Sequence, residues 1–190
     1  MKVYFHMAIE GFSNCYIVVN EETREAIIID PGKLSLDMIE NIESENYILS
    51  GVLITHNHPS HVRGLKTLCK IYSPIIYASD YDIAGEDTYL LKDDGTFNVA
   101  GFDINYYSVP GHTPDSVVYE IGQLLFTGDA LSACMIGTTS SHYSQMLLAS
   151  NLQAKLAYRQ TDIMIMPGHG PPSTLAAEKK FNMTFGNVRS

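Results

Sequence analysis

Short apolar runs, each closed by polar or glycine-bearing stops, recur along the chain and predict strands more often than helices. Cys15-Tyr16-Ile17-Val18-Val19 and Ala26-Ile27-Ile28-Ile29 flank the polar turn Asn20 to Arg24 and predict a hairpin. Asp30-Pro31-Gly32 stops the second strand. Asp30 reads there as an ordinary turn residue whose carboxylate accepts nearby backbone N–H groups, rather than as a partner of a metal ligand. Ser35 is placed to cap a helix reaching about Asn46, with Leu36, Ile39 and Ile42 on its buried face. Gly51 to Thr55 then predicts a buried strand. Val62, Leu65, Leu68 and Cys69 recur at helical spacing, so a helix is expected from Ser60 or His61, with Ser60 as its cap.

Farther along, Pro74 to Ala78 predicts another strand, and Asp80 to Asp94 reads as an acidic, solvated surface excursion. Phe97 to Ala100 and Phe102 to Val109 alternate like paired strands, and Val117 to Ile121 and Leu124 to Phe126 flank Gly122-Gln123 as a tight hairpin. Leu148, Leu152 and Leu156 form a core stripe on a helix from Ser144 to Arg159, and Asp162 to Met166 is a last short strand.

Four of these strands run into residues that bind metals. Gly51–Thr55 leads into His56-Asn57-His58-Pro59-Ser60-His61, Phe102–Val109 into Pro110-Gly111-His112, Leu124–Phe126 into Thr127-Gly128-Asp129, and Asp162–Met166 into Pro167-Gly168-His169. Open α/β sheets place their chemistry at such strand ends, and imidazole is the commonest nitrogen ligand of zinc and also suits iron. A shared context at four strand ends marks His56, His58, His61, His112, Asp129 and His169 as one candidate metal site.

Composition narrows the alternatives. With 190 residues the chain suits a single compact domain over residues 1–190. A formal net charge of -9, with 12 scattered Lys and Arg, argues against a nucleic-acid partner. No run approaches the roughly 20 apolar residues that span a bilayer, and the N-terminus has no signal-like apolar core, so a cytoplasmic protein acting on a small molecule is expected. Cys15, Cys69 and Cys134 are odd in number and far apart, which favours buried free thiols over a disulfide framework.

The motifs THNHPSH, PGHTPDS, FTGDAL and PGHGPPST, in that order, resemble those of the metallo-β-lactamase-fold hydrolases, particularly the small glyoxalase-II-like members. The likeness runs from the first hairpin to Phe185. It implies a four-layer αβ/βα sandwich of two mixed sheets flanked by helices, with metals at one edge between the sheets. It also implies His56, His58 and His112 as ligands of a first ion, His61 and His169 as ligands of a second, and Asp129 as the bridging carboxylate. The implied reaction is hydrolysis of a small ester or thioester by a metal-held hydroxide, with zinc, one or two ions, as the first expectation and iron or manganese as alternatives.

Three departures qualify the likeness. The family pattern HxHxDH carries an aspartate ligand where this chain has Ser60, so the second ion loses an anionic partner. That favours, as a rival, a mononuclear iron dioxygenase acting on a persulfide through His56, His112 and Asp129; a non-catalytic metal-binding or sensing protein is the other rival. Ile136-Gly137-Thr138 stands where many relatives carry an arginine, and the roughly twenty residues after His169 are too few for the helical domain that helps glyoxalase II bind its glutathione thioester. Ser60 as a nucleophile with His61 as base is discounted, because adjacent residues rarely reach the required geometry. Cys134 reads as a buried, inert thiol rather than a substitute ligand.

Overall fold

A computed structural model describes residues 1–185. Among the described residues, sixteen strands and five helices follow one another. The first half runs β1 (Lys2–Met7), β2 (Asn14–Asn20), β3 (Glu25–Ile29), α1 (Leu36–Glu43), β4 (Ile48–Leu53), α2 (Pro59–Val62), α3 (Leu65–Ile71), β5 (Ile75–Ala78), β6 (Asp82–Ile83), β7 (Glu86–Asp87) and β8 (Tyr89–Leu90). The second half runs β9 (Gly95–Val99), β10 (Phe102–Ser108), β11 (Val117–Ile121), β12 (Leu124–Gly128), β13 (Leu131–Ser132), β14 (Met135–Ile136), α4 (His142–Leu156), β15 (Met164–Pro167), β16 (Ser173–Thr174) and α5 (Leu175–Phe181).

The strands build two mixed sheets of six, ordered β1-β2-β3-β4-β5-β8 and β16-β15-β12-β11-β10-β9. Side-chain alternation assigns the layers. On β2 and β3, Cys15, Ile17, Val19, Ala26 and Ile28 face a core completed by Met38 and Ile42 of α1 and Leu65 and Leu68 of α3. Their neighbours Tyr16, Val18, Ile27 and Ile29 face the opposite way, onto Ile104, Val117, Tyr119 and Phe126 of the second sheet. That sheet's outer face, with Val118, Leu125 and Ile165, is covered by Leu148, Leu152 and Leu156 of α4 and Leu175 of α5. Helix, sheet, sheet, helix is therefore the order of layers, as the sequence led one to expect. Central strands buried on both faces read as unbroken apolar runs for this reason.

Local expectations were met unevenly. Ser35 does cap α1, its Oγ accepting from the Met38 N–H at 3.2 Å. The helix ends at Glu43 rather than near Asn46, and Met38, not the exposed Leu36, joins Ile42 in the core. The expected helix through His61 and Cys69 is broken in two, because Gly64 N–H turns away to donate to Pro31 O at 2.8 Å. Ser60 lies inside α2, whose N-cap is His58, so Ser60 is not a cap. The α4 stripe is fully buried as expected, on a helix that starts at His142 and is capped by Ser141. Cys15 is buried, but Cys69 is half-buried and Cys134 is exposed at the β13–β14 turn with φ +62°, so the expectation of buried thiols holds for one of three. No helix among the described residues is long and apolar enough to cross a membrane.

The sheets are stitched together at one end. Asn14 N–H donates to Gly168 O at 2.7 Å, Val117 N–H to Thr55 O at 2.8 Å, and the Tyr16 hydroxyl to Pro167 O at 2.7 Å. This is the end at which the histidine-bearing loops emerge.

Candidate metal centre

All six residues singled out in the sequence meet here, each delivered by the end of a strand or the turn after it. His56 and His58 follow β4, His61 sits in α2, His112 follows β10, Asp129 follows β12 and His169 follows β15. A residue with a side chain could not precede His169. A Cβ on Gly168 would lie 2.5 Å from the His61 ring and 2.7 Å from an Asp129 carboxylate oxygen, so glycine lets the two sheets close.

Three ring nitrogens converge first. His56 Nε2 lies 2.9 Å from His58 Nδ1, which lies 3.2 Å from His112 Nε2. Asp129 Oδ2 is 3.8 Å from His56 Nε2 and 3.7 Å from His112 Nε2. The edge of a tetrahedron around an ion with metal–nitrogen bonds of about 2.0–2.1 Å is about 3.3 Å, so these four atoms surround a volume of the right size. The Nδ1–H of His112 donates to Thr138 O at 2.7 Å, which leaves Nε2 as the free lone pair.

The second group is built around carboxylates. His61 Nδ1 donates to Asp30 Oδ2 at 2.9 Å, and the same carboxylate accepts the Thr55 N–H at 2.8 Å and the Thr55 hydroxyl at 2.6 Å. That bond fixes the His61 tautomer and aims Nε2 at Asp129 Oδ2, 3.4 Å away. Among the described residues, His61 Nε2 is the one buried side-chain polar atom without a hydrogen-bond partner. A buried lone pair left unmatched costs free energy, and a cation between it and Asp129 would satisfy it. His169 Nε2 donates to Gly11 O at 2.9 Å, so its Nδ1 faces Asp129 Oδ1 at 2.7 Å. His56-His58-His112-Asp129 and His61-Asp129-His169 are both close enough to hold an ion, and Asp129 is common to both sets.

Electrostatics separates the two sets. Burial pushes His56 down to about 3, helped by the charge of His61, and burial also lowers His58. For His61 burial works in the same downward direction, but Asp30 and then Asp129 outweigh it and carry the ring up to about 10. Burial likewise opposes ionisation of Asp129, yet the hydrogen bond from His169 and the nearby charge of His61 hold its carboxyl well below the usual range. His169 is raised by its bond to Asp129.

Asp30 corrects the sequence reading. It is a buried partner of His61, held at φ +50°, and reaches His56 through the Thr55 hydroxyl, which lies 3.1 Å from His56 Nδ1. The available signal was its place at the end of the apolar run Ala26–Ile29, the same context that marks the ligand-bearing loops. Ser60 is half-buried, and its carbonyl accepts the Ser13 hydroxyl at 2.6 Å; among the described residues its own hydroxyl makes no hydrogen bond. Cys134 stands away from both sets, its N–H held at 3.0 and 3.1 Å by the buried carboxylate of Glu178.

Comparison with known proteins agrees with this arrangement. A family model described as the metallo-beta-lactamase superfamily matches residues 8–169. A probable polyketide biosynthesis zinc-dependent hydrolase of Bacillus velezensis is 30% identical over 178 residues, covering 89% of this chain and 76% of the relative. A hydroxyacylglutathione hydrolase of Chromohalobacter salexigens is 30% identical over 166 residues, covering 85% of this chain and 64% of the relative. Among solved structures, a B3 metallo-beta-lactamase, BLEG-1, superposes with a TM-score of 0.87 at 23% identity, covering 97% of this chain and 99% of that one. ETHE1 from Myxococcus xanthus gives a TM-score of 0.84 at 24% identity, covering 98% and 85%. At these identities the two structures establish likeness of fold.

Proposed function

The chain belongs to the metallo-beta-lactamase superfamily, and on that premise we propose that it is a metal-dependent hydrolase of a small ester or thioester. The observation that carries the reading is the buried, partnerless Nε2 of His61 beside Asp129, facing three further convergent ring nitrogens. His56, His58 and His112 would hold one divalent ion, and His61 and His169 a second, with Asp129 shared. Zinc is the first choice, supported by the zinc-dependent relative, with iron or manganese as alternatives. When bound, such an ion lowers the pKa of water and polarises a carbonyl.

The protein's own part is orientation and charge. Thr138 O fixes the His112 ring, Asp30 that of His61, and Gly11 O that of His169, so that each presents a lone pair inward. Asp129 stays ionised at neutral pH and supplies the negative charge that compensates a cation.

One observation favours a second reading. Ser60 leaves the second set poorer in anions, while His56, His112 and Asp129 form a two-histidine, one-carboxylate face of the kind iron dioxygenases use. Metal analysis of protein purified without added metal, followed by assays with thioesters and with a persulfide, separates the two. Thioester cleavage is the expected result. Near-stoichiometric iron with oxygen uptake on the persulfide would replace hydrolase by dioxygenase, and metal without either activity would leave a binding or sensing protein.

A further inference from the structure

The hydrolase reading leaves the substrate open, and the walls around the metal centre narrow it. A cavity of about 220 Å³ rests on His112, Asp129 and His169 and is closed by Ser132, Met135 and Ile136. It is large enough to take a short aliphatic group. Gly137 keeps its wall close. A Cβ there would fall 2.0 Å from the Asp129 backbone carbonyl oxygen and 3.2 Å from His112 Nδ1, so glycine lets the turn carrying Met135 and Ile136 pack against the Asp129 backbone and the His112 ring.

Two more cavities adjoin it. One of about 230 Å³ shares His112 and is lined by Thr113, Ser140, Ser144 and Leu147; the other follows residues 136–145. Four hydroxyl residues in succession, Thr138-Thr139-Ser140-Ser141, run along this strip. Among the described residues no Lys or Arg lines any of the three cavities, and the single carboxylate is Asp129. Lys33 and Arg63, on the side of Gly11, are both turned onto Glu10, at 3.3 and 3.5 Å.

An ionised substrate tail laid on this strip would find hydroxyl groups, Gln145 and the imidazole of His142 but no Lys or Arg, so little offsets the water it gives up. The chain's net charge of -9 adds a field that disfavours anions on approach. We infer that the substrate is an uncharged ester or thioester, with a short aliphatic acyl group against Met135 and Ile136 and a neutral, hydrogen-bonding leaving group along the Thr138–Ser141 strip. In the reaction the carbonyl's bond to sulfur or oxygen breaks, the oxygen of water stays with the acyl product, and the leaving thiol or alcohol takes up a proton. This inference rests on the hydrolase reading for its reaction, and on the cavity walls alone for its charge preference.

The test is a matched set of butyryl thioesters: N-acetylcysteamine, which is uncharged, glutathione, and coenzyme A. With the metal-loaded protein, kcat/KM is expected to be at least about tenfold higher for the uncharged thioester than for either anion. Calorimetry with the corresponding non-hydrolysable ketones, in which carbon replaces sulfur, should give the same order of affinities. Met135→Arg, at an exposed wall position, should shift binding and kcat/KM toward the glutathione compound without changing metal content; Ser140→Arg provides a second such variant. Equal or better binding and turnover of the anionic compounds by the unmodified protein would overturn the inference. Preferential binding of the uncharged ketone with no turnover of any thioester would instead overturn the hydrolase reading and leave the charge preference standing.

Discussion

His56, His58 and His112 meet as ring nitrogens with one shared carboxylate at the edge, whereas His61 and His169 are each engaged by a carboxylate before any cation arrives. Burial holds His56 and His58 toward their neutral, metal-binding form, while Asp30 and Asp129 hold His61 toward its protonated form. One half is thus ready for an ion at neutral pH, and the other must first surrender a proton. The same fold edge therefore carries a site assembled mainly by desolvation beside one assembled mainly by charge, and the second should be weaker and more sensitive to conditions.

The largest break in that comparison is removal of a first-set nitrogen. His58→Ala should lower metal content and activity together by more than about 100-fold, since even a residue that only orients a ligand is typically worth 10- to 100-fold. Metal analysis alongside the thioester assay checks it, and unchanged metal content would defeat the assignment of His58. Asp30→Asn comes next. It removes the charge that fixes His61, so affinity at the second set should fall about 10- to 100-fold, while the first set, which Asp30 reaches only through Thr55, should lose less. Two-phase metal titration by calorimetry should show the larger loss in the weaker phase.

Counted per unit, a smaller effect comes from pH. His61 is raised to about 10, so a cation must displace its proton, and second-set affinity should rise by up to about tenfold per pH unit between pH 6.5 and 9. The first set should change little over the same range through His56, which is lowered to about 3. For the metal-free protein the sign is opposite: a raised histidine stabilises the fold fully below its unfolded value near 6.5, and that contribution is lost as pH climbs toward about 10. Thermal melts of metal-free and metal-loaded protein across this range would expose the crossing. The smallest change expected is from Ser60→Asp, which adds an anionic oxygen next to His61 and should tighten the second ion by about tenfold, discounted for partial exposure. Two equally tight ions in the unmodified protein would remove the reason for that variant.

Much of this was legible in the sequence because the same periodic signal, an apolar run ending in a ligand type, repeats at four strand ends. Runs such as Tyr16-Ile17-Val18-Val19, whose alternate members face different layers, gave the strands, while the two-sheet sandwich came from the resemblance to the metallo-β-lactamase fold. What escaped was set by tertiary contact rather than local pattern. Asp30 looked like a turn residue because a Pro-Gly turn does follow it, and only the approach of α2 turns its carboxylate onto His61. The break at Gly64 depends on a carbonyl thirty-three residues earlier, and the Cys134 turn on Glu178, forty-four residues later. Leu36 was misplaced because eight residues of helix give too little periodicity to fix which side meets the sheet.

The bond from His169 to Gly11 joins positions 158 residues apart. Contacts so distant in sequence pay the full entropy of closing the chain before they return anything, so they belong to the late part of folding. The centre therefore has no partially built, working precursor. A chain with only its first sheet formed owns His56, His58 and His61 but lacks the carboxylate of Asp129 and the ring of His169, and it could load an ion only weakly. The full ligand set is thus complete only when both sheets have docked.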